Sequence, residues 1–545
     1  MRDIGWRDKK EPVWQNDKKT SNPAESKPLY EWLQRIDLGS GVAEQDTLLW
    51  NCMVRTQHFA DLAYDRIDLV LGSKGAGKSS LFRMFGEILQ EKLLQNQKTI
   101  VVTGVETKGE PIFKSYAEHF QGFSEAQFES FWKAYLLSLV YNKILYDEQI
   151  ARMFAPHEAE LKEFKKLYEG LGLIDVGRVS SPTKLLKLIC AFTIAAIEGV
   201  QAAWDTEKSQ VIFGVHIREE ISKGYREIAV PDLSKMDTVL CIDALSRLAK
   251  ASGYKIWIML DHLDVVFKRR SPEEARALRA LLNVFSALNF DELKLKIFLR
   301  DDILDALSSD CEEPLAGLSH ITSRAGPKLK WTRDSLCVMI MKRLASDEWL
   351  RARYGLNPNK VDDVDYAREN FQRLFAFKYV TQQAFDWVIS LLADGRGVVT
   401  PRDLIDLLKT ALHIQSLWLQ KHPNKQEFMT IPAIKEAHRE LSKNRKETVL
   451  QTEFSHLMQW IRKLERGKEQ YGKDEFPSVF GDEADKAIST LQAIGVILFD
   501  HKKACFRVAK LYGPGLEVYA TRARRPAKQK RNGQVESQLT GASSG

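Results

Sequence analysis

Apolar and polar positions alternate along the chain in two distinct ways. Short apolar runs at residues 67–71, 99–105, 255–260 and 293–299 have the length and side-chain character of buried strands. Elsewhere apolar residues recur at three and four spacing, as in a helix over 80–94 that follows the first run directly. The same spacing runs through 124–253, where Phe128, Trp132, Leu136, Leu139 and Ile144 mark one helical face. Strands alternating with helices predict an α/β fold, a parallel sheet with helices on both faces, here broken by a large helical insertion. Helical patterns return at 334–345, 364–377, 381–392 and 401–417. The last pattern is an amphipathic run, Ala484, Ile488, Leu491 and Ile494, followed by short strands at 496–499 and 504–508 around the turn Asp500-His501-Lys502-Lys503. Helices followed by a short hairpin predict a winged-helix-like unit.

The expected organisation is therefore a polar disordered arm over 1–28 and an α/β core over 29–330 with its insertion at about 124–253. A helical lid over 331–428, a winged-helix-like domain over 429–520 and a disordered basic tail over 521–545 follow. A chain of 545 residues with 44% hydrophobic content has ample material for several cores. Its best membrane candidate, 188–197, is ten residues long between Lys187 and Glu198, against the roughly 20 that a spanning helix needs. Residues 1–27 are polar and carry no apolar leader pattern, so the expected location is the cytoplasm, with no membrane partner. Six cysteines, at 52, 190, 241, 311, 337 and 505, lack any zinc-type spacing and read as reduced, inert thiols.

Charge changes the picture only locally. Of the net +7, a surplus of five sits after Ala520, where Arg522, Arg524, Arg525, Lys528, Lys530 and Arg531 face the lone acid Glu536. Attraction to DNA would depend mainly on that tail.

The chemistry centres on Gly72-Ser73-Lys74-Gly75-Ala76-Gly77-Lys78-Ser79, followed by Ser80, between the first strand and its helix. Strand, glycine loop and helix are the context of a P-loop, whose backbone N–H groups and helix N-terminus receive phosphate. Lys78 would reach the β- and γ-phosphates, and the Ser79 hydroxyl would ligate Mg²⁺. Lys74 has no assigned task beyond lying in the loop. The run Ile256 to Leu260 leads into Asp261, the candidate to hold Mg²⁺ through water at the end of a buried strand. Asp264, three residues on, is the candidate to aim the attacking water, whereas His262 stands where many such sites carry glutamate.

Arg300 ends the strand 293–299 and is placed to sense a γ-phosphate, with a salt bridge to Asp301 or Asp302 as the plain alternative. Pro401 and Arg402 open a helix after the turn Gly395-Arg396-Gly397 and could close over a nucleotide; Thr400 and Asp403 equally make an ordinary N-cap. No ABC-type Leu-Ser-Gly-Gly-Gln signature and no Asn-Lys-x-Asp guanine reader is present, which favours ATP over GTP by elimination.

The ordered set of P-loop, Leu260-Asp261-His262-Leu263-Asp264, Arg300, Trp331 before a helix ending Lys342-Arg343-Leu344, Thr400-Pro401-Arg402-Asp403-Leu404 and the closing Lys510-Leu511-Tyr512 resembles the bacterial STAND and KAP-like P-loop ATPases, over about residues 29–520. That resemblance implies an additional-strand ATPase core, ATP and Mg²⁺ as cofactors, and nucleotide contacts at Arg300, Pro401 and Arg402. It also implies a nucleotide-controlled switch, often used in defence against phage, acting through self-assembly or a separate protein effector. Val265 stands where many members carry an acid, which implies slow hydrolysis. The alternative is a DNA-binding ATPase like the origin-recognition proteins, using the winged helix and basic tail.

Overall fold

The computed structural model describes residues 27–104, 120, 122–173, 181–198, 202–205, 210–213, 225–228, 237–263, 271–288, 290–309, 318–375 and 383–519. The arm expected over 1–28, apart from its last two residues, the tail over 521–545, and Asp264 lie outside them. The chain forms two compact units, one of residues 1–392 with 398–437 and one of 393–397 with 438–545.

The first unit is built on a parallel sheet of β1 (Leu69–Gly72), β2 (Thr99–Gly104), β6 (Lys255–Leu260) and β7 (Leu293–Arg300), in the order β1-β7-β6-β2. β7 thus separates the strand that runs into the glycine loop from the strand that runs into Asp261. A short segment flanks β1 on its other side, with Gly326 N donating to Leu69 O at 3.1 Å and Leu329 N to Leu71 O at 2.6 Å.

The strands are apolar on both faces because both are covered. Leu69, Leu71, Ile100, Val102, Ile256, Ile258, Leu295 and Ile297 pack into one core with the helices Glu125–Tyr146, Thr238–Ser252 and Pro272–Ala287. Their alternates Val70, Val101, Trp257, Met259 and Phe298 pack on the other side with Phe59, Leu81, Phe82 and Phe85. Two lysines of β7, Lys294 and Lys296, are buried on that second face. Lys296 is fully buried, yet its ammonium donates to Asp65 and Asp68 carboxylates at 2.7 Å each and to Ile67 O at 3.0 Å, and lies 4.2 Å from the Trp257 ring. A buried lysine persists where its charge is paired and its donors are satisfied.

The insertion is mostly helical, as expected, but also carries strands. Besides the helices Glu125–Tyr146, Glu148–Phe154, Glu158–Gly170, Pro182–Glu198 and Thr238–Ser252, it contains an antiparallel sheet of β3 (Ala202–Asp205), β4 (Gln210–Phe213) and β5 (Tyr225–Ile228), ordered β4-β3-β5. Four-residue strands are too short to register as a period of two beside long helical runs. Downstream, the helices Arg333–Ser346, Val364–Leu374, Ala384–Leu392 and Pro401–Lys421 match the periodicity to within a few residues at their ends, and a further short helix, Glu348–Tyr354, follows the first.

The second unit runs helix Met458–Leu464, strand β8 (Gln470–Gly472), helices Phe476–Phe480 and Ala484–Ala493, then β9 (Ile497–Asp500) and β10 (Cys505–Val508). Its sheet is antiparallel, ordered β8-β10-β9; β8 is an addition to the expected hairpin. Phe476 stacks on Phe506 with centroids 4.7 Å apart and meets Phe480 edge-on at 5.2 Å. Gly395, expected in the lid turn, belongs to this unit: its N–H donates to Gly495 O at 2.6 Å, and a Cβ there would collide with the Ile497 carbonyl.

Candidate functional site

The site lies at the C-terminal edge of the parallel sheet. Leaving β1, the backbone turns through left-handed conformations at Gly75 (φ 81°) and Gly77 (φ 99°), which residues with a Cβ rarely adopt. Gly77 then caps the helix Lys78–Arg83. Lys78 is buried and its ammonium curls back over the loop, donating to Gly72 O at 2.8 Å and Ser73 O at 3.1 Å. Ser73, Lys74, Ser79 and Ser80 are half-buried and Ala76 is buried. Trp331 closes one side, its indole N–H donating to Ala76 O at 2.7 Å.

Parallel register brings the other candidates to the same edge. Gly72 is the partner of Arg300, and Leu260 pairs with Ile297 and Gly104, so Asp261 emerges one residue past the sheet. Asp261 is buried, and the Ser79 hydroxyl bonds its carboxyl group. Burial pushes that carboxyl above the usual range, opposed by the charges of His262 and Lys78 and by the Ser79 bond. Its Oδ2 has no hydrogen-bond partner. A buried carboxylate oxygen without a partner, beside the Ser79 hydroxyl and the Lys78 ammonium, suits a hard divalent cation with oxygen ligands. The residues present therefore fit Mg²⁺, which Ser79 and Asp261 would hold. No group of three or more His, Cys, Asp or Glu side chains able to hold a metal occurs among the described residues.

Arg300 points its guanidinium at Asp302, with Nε to Oδ1 at 2.9 Å and Nη2 to Oδ2 at 2.8 Å. The structure thus shows the plain salt bridge, at a position next to the glycine loop. In the lid turn, Thr400 accepts from Asp403 N at 3.2 Å and donates to its carboxylate at 2.7 Å, the ordinary N-cap. That cap also presses on the loop: a Cβ at Gly75 would lie 3.1 Å from Thr400 Oγ1 and 3.3 Å from Arg402 Cβ. Pro401 and Arg402 line the same cleft as Gly75, Gly77, Lys78, Ser79, Ser80 and Trp331, a space of roughly 90 Å³. That is below the roughly 300–1,000 Å³ of ordinary ligand pockets.

The remaining wall is a strap that sequence patterning does not reveal, residues 38–54. Basic groups from three helices hold it. Arg343 donates to Leu38 O at 2.7 Å and to both oxygens of Asp46, Lys409 to Gly39 O at 2.8 Å, and Arg402 Nε to Gly41 O at 2.8 Å; Arg83 donates to Ala43 O. Glu44 Oε1 lies 2.9 Å from His262 Nε2, which is itself 3.6 Å from Asp261 Oδ2. The bond to His262 holds the Glu44 carboxyl below its ordinary value despite partial burial. The available signal for the strap is compositional: Gly39, Ser40 and Gly41 enclosed by Asp37, Glu44 and Asp46. Glycines among acids mark a turn with fixed partners.

No family model and no curated protein matches the chain. Among solved structures, the Aeropyrum pernix Orc1 protein in complex with DNA aligns over 89% of this chain and 96% of that one, at 12% identity and a TM-score of 0.32. That score is too low to carry an argument about fold or function. No described helix is long and apolar enough to cross a membrane.

Proposed function

We propose that the chain binds ATP with Mg²⁺ in the cleft between the glycine loop, the strap, Trp331 and the Arg402 helix, and hydrolyses it slowly as a regulatory switch. The observation that carries this reading is the Lys78, Ser79 and Asp261 constellation: a lysine over a left-handed glycine loop, facing a buried carboxylate with one unpartnered oxygen. In this reading the loop and Lys78 bind the phosphates, and Arg402, freed from Gly41 O, engages them. Mg²⁺, when bound, would offset developing charge on the phosphate oxygens. Arg300 would leave Asp302 to sense the γ-phosphate, and Asp264 is the sequence's candidate to aim the water.

A switch reading, through self-assembly or a protein effector in the manner of STAND and KAP-like ATPases, is favoured by the strap. Its contacts with Arg343, Arg402, Lys409 and Arg83 tie core and lid helices to one segment beside the nucleotide, so binding there can bias both. The experiment is Mg²⁺-dependent release of phosphate from ATP by the purified chain and by Asp261→Asn. Turnover that is lost in the variant supports the proposal, and turnover unchanged by the substitution sinks it.

The second reading, DNA binding, is favoured by the order helix, strand, helix, helix and hairpin in the second unit, which is that of a winged helix. Its charge argues the other way. The helix Ala484–Ala493, in the recognition position of that order, is preceded and opened by exposed Asp482, Glu483 and Asp485 against one exposed Lys486. Cations are offered by Lys502 and Lys503 at the hairpin tip, by exposed Arg462, Lys463 and Lys473 elsewhere in the unit, and by the tail beyond Ala520. Duplex affinity that survives deletion of 521–545 would favour a winged helix on DNA, and its loss would assign the tail alone.

A further inference from the structure

Strand β6 delivers an aspartate to the site but no second carboxylate at the next position, where His262 stands. His262 adopts a left-handed backbone (φ 58°), a conformation uncommon for residues with a Cβ, though His takes it more often than most. In that conformation its imidazole bonds Glu44 of the strap, 218 residues away in sequence, at 2.9 Å. The same imidazole nitrogen is 3.6 Å from the unpartnered oxygen of Asp261. Glu44 is thereby held by the histidine that follows Asp261 and lies beside its carboxylate. Its neighbours Gly41, Ala43 and Asp46 line the cleft with Lys78 and Ser79. One carboxylate oxygen is held by His262, and a third of the side chain is exposed to solvent.

We propose that Glu44, delivered by the strap and held by His262, is the carboxylate that orients and deprotonates the water attacking ATP at this site. The assignment rests on the ATPase reading above. The water oxygen forms the new bond to the γ-phosphorus while the bond from that phosphorus to the β,γ-bridging oxygen breaks, its electron pair leaving on ADP. The proton lost by the water passes to the Glu44 carboxylate and from there to solvent. Because the strap is also the segment gripped by the lid arginines, turnover depends on the strap being seated. Hydrolysis and lid position are then linked through one residue.

Glu44→Gln separates this role from a structural one. A glutamine keeps an oxygen to accept from His262 and so keeps the strap in place, but it cannot take a proton. With the full-length chain, kcat for ATP should fall about 100-fold, within the usual contribution of a general base, while ATP affinity and melting temperature stay at wild-type values; Glu44→Asp, one methylene shorter, should recover part of the rate. Unchanged kcat in Glu44→Gln, with Asp264→Asn and Lys78→Ala inactive, overturns the assignment and leaves the ATPase reading standing. A loss of kcat matched by lost ATP affinity or a lowered melting temperature also overturns it, assigning Glu44 to holding the strap. Absence of ATP turnover in the wild type removes both the assignment and the hydrolysis on which it rests.

Discussion

Asp46 and Arg343, 297 residues apart in sequence, form a buried two-pronged ion pair, with Nη1 to Oδ1 at 3.0 Å and Nη2 to Oδ2 at 2.5 Å. Both side chains are almost fully removed from solvent, so neither charge can be rehydrated when the other is lost. Asp46→Ala should therefore cost about 3–5 kcal/mol of folding stability, the penalty for an orphaned buried charge. Denaturant unfolding measures it. A loss below about 1 kcal/mol would mean that the strap is not seated on Arg343 in solution, since exposed pairs contribute no more than that.

The loop and the Thr400 cap are a close fit at Gly75. A Cβ there would sit 3.1 Å from Thr400 Oγ1 in a backbone with φ 81°. Gly75→Ala should weaken ATP binding through loop strain of about 1–2 kcal/mol, roughly a 5- to 30-fold rise in Kd by the usual conversion. Calorimetric titration tests this. Wild-type affinity in Gly75→Ala would show that the loop relaxes away from the lid turn on binding.

The buried thiols give the protein a characteristic alkaline limit. Burial pushes Cys52 to about 11 and Cys241 and Cys337 to about 12, and raises Cys190 as well. A thiol whose pKa is raised by folding adds stability below the unfolded value near 9 and loses it as pH rises through the folded one. Melting temperature should accordingly fall between pH 9 and 11. At pH 8 an alkylating agent should leave Cys52, Cys190, Cys241 and Cys337 unmodified in the native chain, because only the thiolate reacts. Rapid labelling of Cys52 at pH 8, read by peptide mass spectrometry, would show that the strap opens readily.

How far the sequence discloses this molecule depends on the range of the interactions concerned. The glycine loop is legible because strand, glycines and helix are consecutive, and Asp261 because five apolar residues, Ile256 to Leu260, lead into it. Arg300 illustrates an intermediate case: its place at the strand end follows from the apolar run, and its partner Asp302, two residues on, was one of two local alternatives. Glu44 and Asp46 are not legible as site residues. Their partners lie 218 and 297 residues away, and a strap without periodicity leaves no trace of where it folds. The sheet of β3, β4 and β5 was hidden for a different reason, its strands being single turns of alternation inside helical surroundings. The lid turn misled by adjacency, since Gly395 and Arg402 are seven residues apart yet belong to different compact units.

The measurement that bears most directly on the central claim is calorimetric titration of ATP and Mg²⁺ into the full chain and into Lys78→Ala, whose removed ammonium sits over the loop at Gly72 and Ser73. Loss of a charge-assisted contact to phosphate is worth about 1.5–3 kcal/mol or more, so the expected result is saturable one-site binding in the wild type and at least a tenfold weaker isotherm, or none, in the variant. Equal affinity in the two proteins would contradict the assignment of residues 72–79 as a phosphate loop and the ATPase built upon it.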